Sequence, residues 1–286
     1  MNNIQGYSFI LVPVAIIAIF GIYPSINVFI MSFQKFNMLA GIDNAAFNGI
    51  ANYLDFMKDE VFWNTLKNTF TFALFVVPIQ SAIALFFAVL INQNLSGVKI
   101  YRTIFFMPVI MSFVTVSIFW RMIYEPNNGL ANSVLRLLHI PEQQFLIDPN
   151  QAMASVIVMC IWKSWGWYMV IFLAGLQEIP KELYESSYID GAAPLKVLFA
   201  ITIPLLKRST LFVLIMTTID SFKIFTPIYI MTNGGPLDTT NTIVHHIWKT
   251  AFRMNEMGYA AAMSIFLFII VFIITILQLK LARSNN

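Results

Sequence analysis

Three ionisable side chains lie inside long apolar stretches of this sequence: Lys163, Asp220 and Lys223. A charge at the centre of a bilayer costs about 2.5 to 3.5 kcal/mol on insertion scales, so such residues usually face a cavity or a charged partner. Lys163 follows Ala152 by eleven residues, and Asp220 follows Ser209 by eleven. At about 1.5 Å per helical residue, both side chains would reach the middle of a membrane. We therefore expect Lys163 and Asp220 to share one cavity.

The residues around these charges suit a polar, ring-shaped solute. Thr217, Asp220 and Ser221 are spaced by three and four, which puts them on one helix face. Aromatic residues surround Lys163 at Trp162, Trp165, Trp167 and Tyr168. A sugar ring packs its C–H face on aromatic rings, while its hydroxyl groups need hydrogen-bond donors and acceptors. The candidate pathway residues are Lys163, Trp165, Tyr168, Thr217, Asp220, Ser221 and Lys223.

Two simpler interpretations of the same residues stay open. Asp220 and Lys223 are three residues apart, so the two charges could neutralise each other on one helix face. The tryptophans could pack helices together or anchor them at the membrane interface.

The composition requires a membrane around the elements that carry these residues. Of the 286 residues 58% are hydrophobic and 11% are charged, and the mean hydropathy is +0.74. Soluble domains are about a quarter charged, so this chain has too little polar surface for a water-soluble globule. The net charge of +3 does not indicate nucleic-acid binding. Cys160 is the single cysteine, so an intramolecular disulfide is excluded.

Six apolar stretches are long enough to cross about 30 Å of hydrocarbon as helices. They are Tyr7 to Phe33, Thr69 to Ile91, Thr103 to Trp120, Ala152 to Leu176, Ser209 to Met231 and Met257 to Leu279. The sequence thus predicts an all-α membrane protein with six transmembrane helices. The first stretch has no preceding basic residue and no small-residue cleavage site, so we expect it to be retained.

The distribution of basic residues predicts that both termini are cytoplasmic. With that orientation the inner segments carry eight basic and four acidic residues, an excess that follows the positive-inside rule. We expect residues 1–68 to form the first helix and an outer loop, residues 69–280 to form the core, and residues 281–286 to form a cytoplasmic tail.

The loop between the fourth and fifth stretches, residues 177–207, contains a clear helix-turn-helix pattern. Pro180 suits the first turn of a helix, and Gly191 suits the left-handed position just past a helix end. Pro194 can begin a second helix, which Pro204 then disturbs. The loop should therefore project a short helix, a sharp turn and a second helix.

One face of the first loop helix combines small and polar residues. The spacing of three and four places Leu183, Ser186, Ser187 and Asp190 together, with Glu182 and Glu185 also three apart. Such a helix can be an amphipathic connector that lies on the membrane surface, or a docking surface for a partner.

The sequence of this loop also resembles a motif of a known protein family. Glu185-Ser-Ser-Tyr-Ile-Asp-Gly, with the following Phe199-Ala-Ile-Thr-Ile-Pro, resembles the E-A-A-x-x-x-G loop and its F-x-x-I-x-x-P sequel in membrane subunits of ATP-binding-cassette importers. Two serines, Ser186 and Ser187, replace the alanines of that motif. Because serine is equally small, close docking should be preserved.

Three further motifs follow the same resemblance over nearly the whole chain. Phe222-Lys-Ile-Phe-Thr-Pro-Ile-Tyr-Ile-Met-Thr-Asn-Gly-Gly-Pro resembles the F-x-x-F-D-x-I-Y-x-M-T-x-G-G-P signature of carbohydrate permeases, with Thr226 where aspartate is common. Met257-Gly-Tyr-Ala-Ala-Ala-Met-Ser is similar to that family's entry to the last helix. Ile50-Ala-Asn-Tyr and Phe62-Trp-Asn-Thr-Leu-Lys-Asn-Thr look like its outer loop.

This resemblance implies a type I permease fold in a sugar importer of the maltose and glycerol-3-phosphate kind, in a bacterial or archaeal cytoplasmic membrane. The implied partners are a cytoplasmic ATPase dimer, a second homologous permease, an external solute-binding protein, a carbohydrate and the lipid bilayer. A homodimer of permeases stays an alternative. The implied coupling residues are Glu182, Glu185, Ser186, Ser187, Asp190 and Gly191.

No catalytic or metal-binding set is recognisable in the sequence, and no phosphate-binding G-x-x-x-x-G-K-[ST] motif is present. We therefore expect no cofactor on this chain, with ATP and Mg²⁺ bound by the partner ATPase. His139, His245 and His246 lie in predicted outer segments, where we expect solvated or headgroup positions. Asn233-Gly-Gly-Pro has the composition of a turn.

Two rival functions remain open from the sequence. An ion-coupled secondary transporter could use Asp220 and Lys163 as coupling groups, although no inverted repeat is apparent. A membrane enzyme could use Asp220 as an acid or base, although no second catalytic group accompanies it.

Overall fold

A computed structural model describes residues 3–41, 45–93 and 97–284 of the chain, and these residues are mostly helical. The helices are α1 (Asn3–Ile17), α2 (Tyr23–Met31), α3 (Ala51–Lys58), α4 (Glu60–Ile91), α5 (Val98–Ile110), α6 (Phe113–Ile123), α7 (Leu130–Leu137), α8 (Ala152–Gln177), α9 (Lys181–Ile189), α10 (Pro194–Val197), α11 (Ile203–Leu205), α12 (Lys207–Phe222), α13 (Ile243–Phe252) and α14 (Met257–Ser284). Two short antiparallel strands, β1 (Gln34–Lys35) and β2 (Ala46–Phe47), pair with each other.

Four helical stretches of the described chain are long and apolar enough to cross a membrane. They are Ile10–Met31, Glu60–Ile91, Ala152–Gln177 and Met257–Leu281. Two bent helix pairs pass the same test, so the number rises to six if each pair is one span. This agrees with the six apolar stretches of the sequence.

The third predicted helix, Thr103 to Trp120, is wrong as one continuous helix. The structure divides it into α5 and α6, which meet at an angle of 95°. Met111 and Ser112 between them have extended backbones, and the Ser112 hydroxyl accepts a hydrogen bond from the Val114 N–H at 3.2 Å. Ser112 is therefore an N-cap that starts a new helix, as serine often does.

The fifth predicted helix, Ser209 to Met231, also differs from the structure. The helix α12 ends at Phe222, and a π-helical segment, Ile228–Thr232, follows after a break. Before α12, the π-helical segment Leu198–Thr202 precedes Pro204, and the chain then bends by 72° near Leu206. Proline has no N–H to donate, so a local widening of the helix fits its position.

The first of two compact units contains residues 1–64 and 246–270. Its turn after α2 is held by the buried Asn52, whose side-chain N–H groups donate to the Ser32 and Gln34 carbonyls at 2.8 and 3.0 Å. The Phe56 ring packs on Phe62 and Phe266 at centroid distances of 4.6 and 5.2 Å.

The second unit contains residues 65–245 and 271–286, and α8 runs through its core. One buried cluster surrounds Val156, Met159 and Cys160 near the start of α8, and another surrounds Met169, Phe172 and Leu176 near its end. Lipid tails are as apolar as these side chains, so helix association in a membrane depends on close packing rather than on the hydrophobic effect.

Gly166 provides a close packing contact between α8 and α5. A Cβ atom added at Gly166 would overlap the carbonyl oxygen of Phe105 in α5. Because that neighbour is a backbone atom, it cannot move aside without shifting the helix. Small residues commonly permit this kind of approach between membrane helices.

We predict that Gly166→Ala lowers the thermal unfolding temperature of the purified protein in detergent. Forcing a methyl group into a packed contact costs about 1 to 3 kcal/mol, more than the roughly 1 kcal/mol by which alanine favours a helix. Gly21→Ala is the matched control, because the nearest atom to its new Cβ is Ile17 Cγ2 at 3.9 Å. Equal unfolding temperatures for Gly166→Ala and the unmodified protein would contradict the close contact.

Candidate solute cavity and coupling loop

A cavity of about 380 Å³ lies in the second unit, where α4, the α5–α6 break, α8 and the end of α12 meet. Its volume is within the range of small-molecule sites, about 300 to 1,000 Å³. Its lining includes the aromatic residues Phe72, Phe113, Trp167, Tyr168 and Phe225, and the polar residues Gln80, Lys163, Ser164, Thr217, Asp220, Ser221, Lys223 and Thr226.

Lys163 lines this cavity but is engaged with the protein. Its side chain is 5% exposed, and its Nζ donates a hydrogen bond to the Val109 carbonyl at 3.1 Å. The same Nζ lies 4.4 Å from the centre of the Phe113 ring. Val109 is in the last turn of α5, where carbonyl groups lack an intrahelical donor and the helix dipole favours a cation. Lys163 therefore caps the broken helix.

Asp220 pairs with a tyrosine rather than with the nearby lysine. The Tyr168 hydroxyl donates to Asp220 Oδ2 at 2.7 Å, and Tyr168 itself is buried. Among the residues that the structure describes, the ion pairs do not include Asp220 with Lys223. Asp220 and Lys223 are therefore not joined by a direct ion pair.

Thr217 and Ser221 lie in the cavity wall, and each hydroxyl donates to a carbonyl of its own helix. Thr217 Oγ1 bonds to the Val213 carbonyl, and Ser221 Oγ bonds to the Thr217 carbonyl at 2.7 Å. Both side chains are buried. Their hydroxyl oxygens keep lone pairs that can accept hydrogen bonds.

Trp165 is the candidate residue that the structure does not bring into the cavity. Its ring packs on Phe87 and Phe105 at 4.6 and 5.1 Å, on the other side of α8. Trp167 lines the cavity instead, with 49% of its surface exposed. Sequence reasoning also missed Gln80, a buried polar residue in an apolar stretch, which could have been noticed by the same argument as Lys163.

The loop after α8 folds as the sequence pattern indicates. The helix α9 ends before Gly191, whose φ of +71° is the left-handed conformation that glycine adopts readily. The Ala192 N–H donates to the Ser187 carbonyl at 3.0 Å and closes the turn. Pro194 then begins α10. The Tyr184 hydroxyl lies 3.2 Å from Thr202 Oγ1, and this contact connects α9 to the π-helical segment Leu198–Thr202.

The predicted small-residue face of α9 borders a surface groove. The groove has a volume of about 340 Å³ and is lined by Leu183, Ser186, Ser187, Asp190, Ala200, Ile201, Pro204 and Leu205. Glu182 and Glu185 are exposed on the same helix. The six residues Glu182, Glu185, Ser186, Ser187, Asp190 and Gly191 thus occupy one short helix and its turn.

The Asn233-Gly-Gly-Pro turn is present, with φ values of +50° at Asn233 and +86° at Gly234. The expectation of solvated histidines is wrong for His245 and His246, which are 3% and 6% exposed. His245 Nδ1 lies 2.8 Å from Asn241 Oδ1, four residues earlier in the chain. His139 is exposed.

Residues 60–285 match the family model described as the inner membrane component of binding-protein-dependent transport systems. The chain belongs to this family. It is 36% identical over 284 residues to the probable ABC transporter permease protein YesP of Bacillus subtilis, with 98% of this chain and 90% of YesP covered. It is 34% identical over 272 residues to the arabinooligosaccharides transport system permease protein AraP of the same species, covering 93% and 84%.

A solved structure has the same fold. A chain in the bacterial alginate ABC transporter, crystallised with an alginate pentasaccharide-bound periplasmic protein, superposes with a TM-score of 0.85 at 22% identity, covering 98% of this chain and 94% of that chain. Membership in the inner membrane component family makes this chain a multi-pass membrane permease, a transport subunit rather than an enzyme.

The Tyr168–Asp220 hydrogen bond yields a prediction for folding. Tyr168→Phe and Asp220→Asn should each lower stability in detergent, and the double variant should lose less than the sum, because both changes weaken one charge-assisted bond. Such bonds contribute about 1.5 to 3 kcal/mol when buried, and the exposed side of Asp220 places this one at the lower end.

A double-mutant cycle on unfolding in detergent measures this coupling. Tyr124→Phe is the control, because Tyr124 is equally buried in the same unit and its hydroxyl has no hydrogen-bond partner among the described residues. Strict additivity of Tyr168→Phe and Asp220→Asn would contradict the pairing.

Proposed function

We propose that this permease moves a saccharide through the cavity between α8 and α12, in an importer driven by ATP. The observation that carries the proposal is the composition of the cavity wall, where exposed Trp167 faces the same space as the carboxylate of Asp220. Aromatic rings bind the apolar face of a sugar, and carboxylates accept from its hydroxyl groups. AraP is named as a permease for arabinooligosaccharides, and the solved relative is an alginate transporter. Both names support a saccharide as the substrate.

The cavity also has an arrangement that permits movement. Two of its walls contain an interruption in a helix: the α5–α6 break and the break after α12. Irregular backbone at membrane depth is tolerated where it lines a cavity, and discontinuous helices often form transport sites. Lys163, Tyr168, Thr217, Asp220, Ser221 and Lys223 supply the polar groups of the proposed pathway, and Trp165 supports α8 from outside it.

The conformational change of the ATPase would be transmitted to the cavity through α9 and its turn. In this proposal Glu182, Glu185, Ser186, Ser187, Asp190 and Gly191 dock in a cytoplasmic ATPase. The groove beside Ser186 and Ser187 supports docking because it offers a concave surface next to exposed acidic side chains. Since Leu206 at the bend before α12 packs in the same buried cluster as Leu176 at the end of α8, a displacement of the loop would tilt both helices.

The complete importer would contain an ATPase dimer that binds ATP and Mg²⁺, a second homologous permease and an external solute-binding protein. In this arrangement both termini are cytoplasmic, residues 1–68 form the first transmembrane helix and outer loop, and residues 69–280 form the translocating core. Binding of ATP would close the ATPases and open the cavity toward the loaded binding protein.

The saccharide pathway predicts a difference between two tryptophans of α8. Trp167→Ala should lower the rate of ATP-driven saccharide uptake into proteoliposomes at least tenfold, because it removes an aromatic face from the cavity. Trp162→Ala is the matched control, since Trp162 is also partly exposed but packs on Trp120 at 5.4 Å outside the cavity. If both variants transport at the unmodified rate, Trp167 does not contact the solute.

The docking role of α9 predicts a separation of ATP hydrolysis from uptake. Glu185→Lys should leave the permease in the membrane but reduce saccharide uptake per ATP hydrolysed, because it reverses a charge at the docking surface. Glu178→Lys makes the same change in charge at the end of α8, outside α9, and should have little effect. Normal coupling in Glu185→Lys, measured as uptake and hydrolysis on the same vesicles, would refute the assignment of α9.

A further inference from the structure

The charged residues of the cavity wall are unequally engaged. Among the described residues, those that line the cavity with a charge are Lys163, Asp220 and Lys223, which gives the wall a formal charge of +1. Each of these three charges either meets a protein group or remains for a ligand. The partners of each one therefore indicate what the solute carries.

Two of the three charges have partners within the protein. The Lys163 ammonium is directed at the Val109 carbonyl and the Phe113 ring and is almost fully buried. The Asp220 carboxylate accepts from the Tyr168 hydroxyl. Removing either charge would disturb the wall itself, so both belong to the framework of the cavity.

Lys223 differs from both. It is exposed to the cavity, and no carboxylate lies within 4.0 Å of its Nζ among the residues that the structure describes. It is the C-cap residue directly after Phe222, the last residue of α12, where the carbonyl groups of the helix favour a positive charge. Lys223 is thus a charged donor, held at the cavity by the end of a helix and available to an anion.

The lining favours a carboxylate over a phosphate. The cavity wall described above contains no arginine, the side chain that binds phosphate through paired hydrogen bonds. A phosphate ester carries about −1.5 to −2 charges at neutral pH, whereas a sugar carboxylate carries one and matches a single ammonium group. Aromatic rings beside that ammonium bind the sugar ring that bears the carboxylate.

We propose that Lys223 is a specificity-determining residue that selects saccharides carrying a uronate carboxylate, which it binds through its ammonium group. This inference rests on the proposed function of the cavity as a saccharide pathway. A uronate carries its carboxylate on the sugar ring that would pack on Trp167, and the Asp220 carboxylate would accept hydrogen bonds from the hydroxyl groups of that ring.

The test measures binding by the assembled importer in nanodiscs without its solute-binding protein, so that only the membrane cavity selects. The probes are cellobiouronate, a disaccharide with one carboxylate, its methyl ester, which is uncharged, and glucose 6-phosphate. The variants are Lys223→Met, which removes the charge, Lys223→Arg, which keeps it, and Lys67→Met, which removes an exposed lysine outside the cavity.

The expected result is at least tenfold tighter binding of cellobiouronate than of its methyl ester. Lys223→Met should abolish this difference by weakening only the uronate, while Lys223→Arg and Lys67→Met retain it. Equal binding of ester and uronate, an unchanged preference in Lys223→Met, or tighter binding of glucose 6-phosphate would overturn the uronate assignment while leaving a saccharide pathway intact. Binding of none of the probes, together with no ATP-driven saccharide uptake, would overturn the proposed function itself.

Discussion

The structure of the cavity depends on one requirement, that backbone groups freed inside a membrane find hydrogen-bond partners. The break between α5 and α6, within a helix pair apolar enough to span a membrane, leaves carbonyl groups without intrahelical donors. The Lys163 ammonium donates a hydrogen bond to one of these carbonyl groups, that of Val109, and the ammonium also lies over the Phe113 ring. A lysine in an apolar stretch is thus explained by the backbone that it completes, and the space beside that break becomes the cavity.

The need for hydrogen-bond partners also distinguishes the polar residues that stabilise the cavity wall from those that can bind a solute. The Thr217 and Ser221 hydroxyl groups donate hydrogen bonds to carbonyl groups of their own helix, and the Tyr168 hydroxyl donates to Asp220. These side chains therefore form a stable wall. Lys223, Trp167 and the open side of Asp220 remain to meet a solute. The wall therefore presents an aromatic face, an acceptor and a cation to a ligand of modest size. In the proposed function, its interrupted helices change shape when the α9 loop moves.

The sequence predicted features that depend on local signals. Apolar length identified the six stretches, and Pro180, Gly191 and Pro194 identified the loop helices, because proline fixes the backbone angle φ and glycine permits the left-handed turn after a helix. The break at Met111 and Ser112 was missed because both flanking segments are apolar and serine is common within membrane helices. Trp165 and Trp167 are about 200° apart around a helix of 3.6 residues per turn, so only the packing of α8 decides which one lines the cavity. The burial of His245 and His246 likewise depends on tertiary packing, which no local pattern records.

The central claim is that this cavity is the solute pathway and opens alternately to the two sides of the membrane. The most direct measurement places one cysteine in the wall, Thr226→Cys in a Cys160→Ala background, and labels it with a membrane-impermeant maleimide from either side of the assembled importer in vesicles. The account predicts labelling from the cytoplasmic side without nucleotide and from the outer side when ATP is trapped, with protection by bound saccharide. Labelling from the same side in both states, without protection, would contradict it.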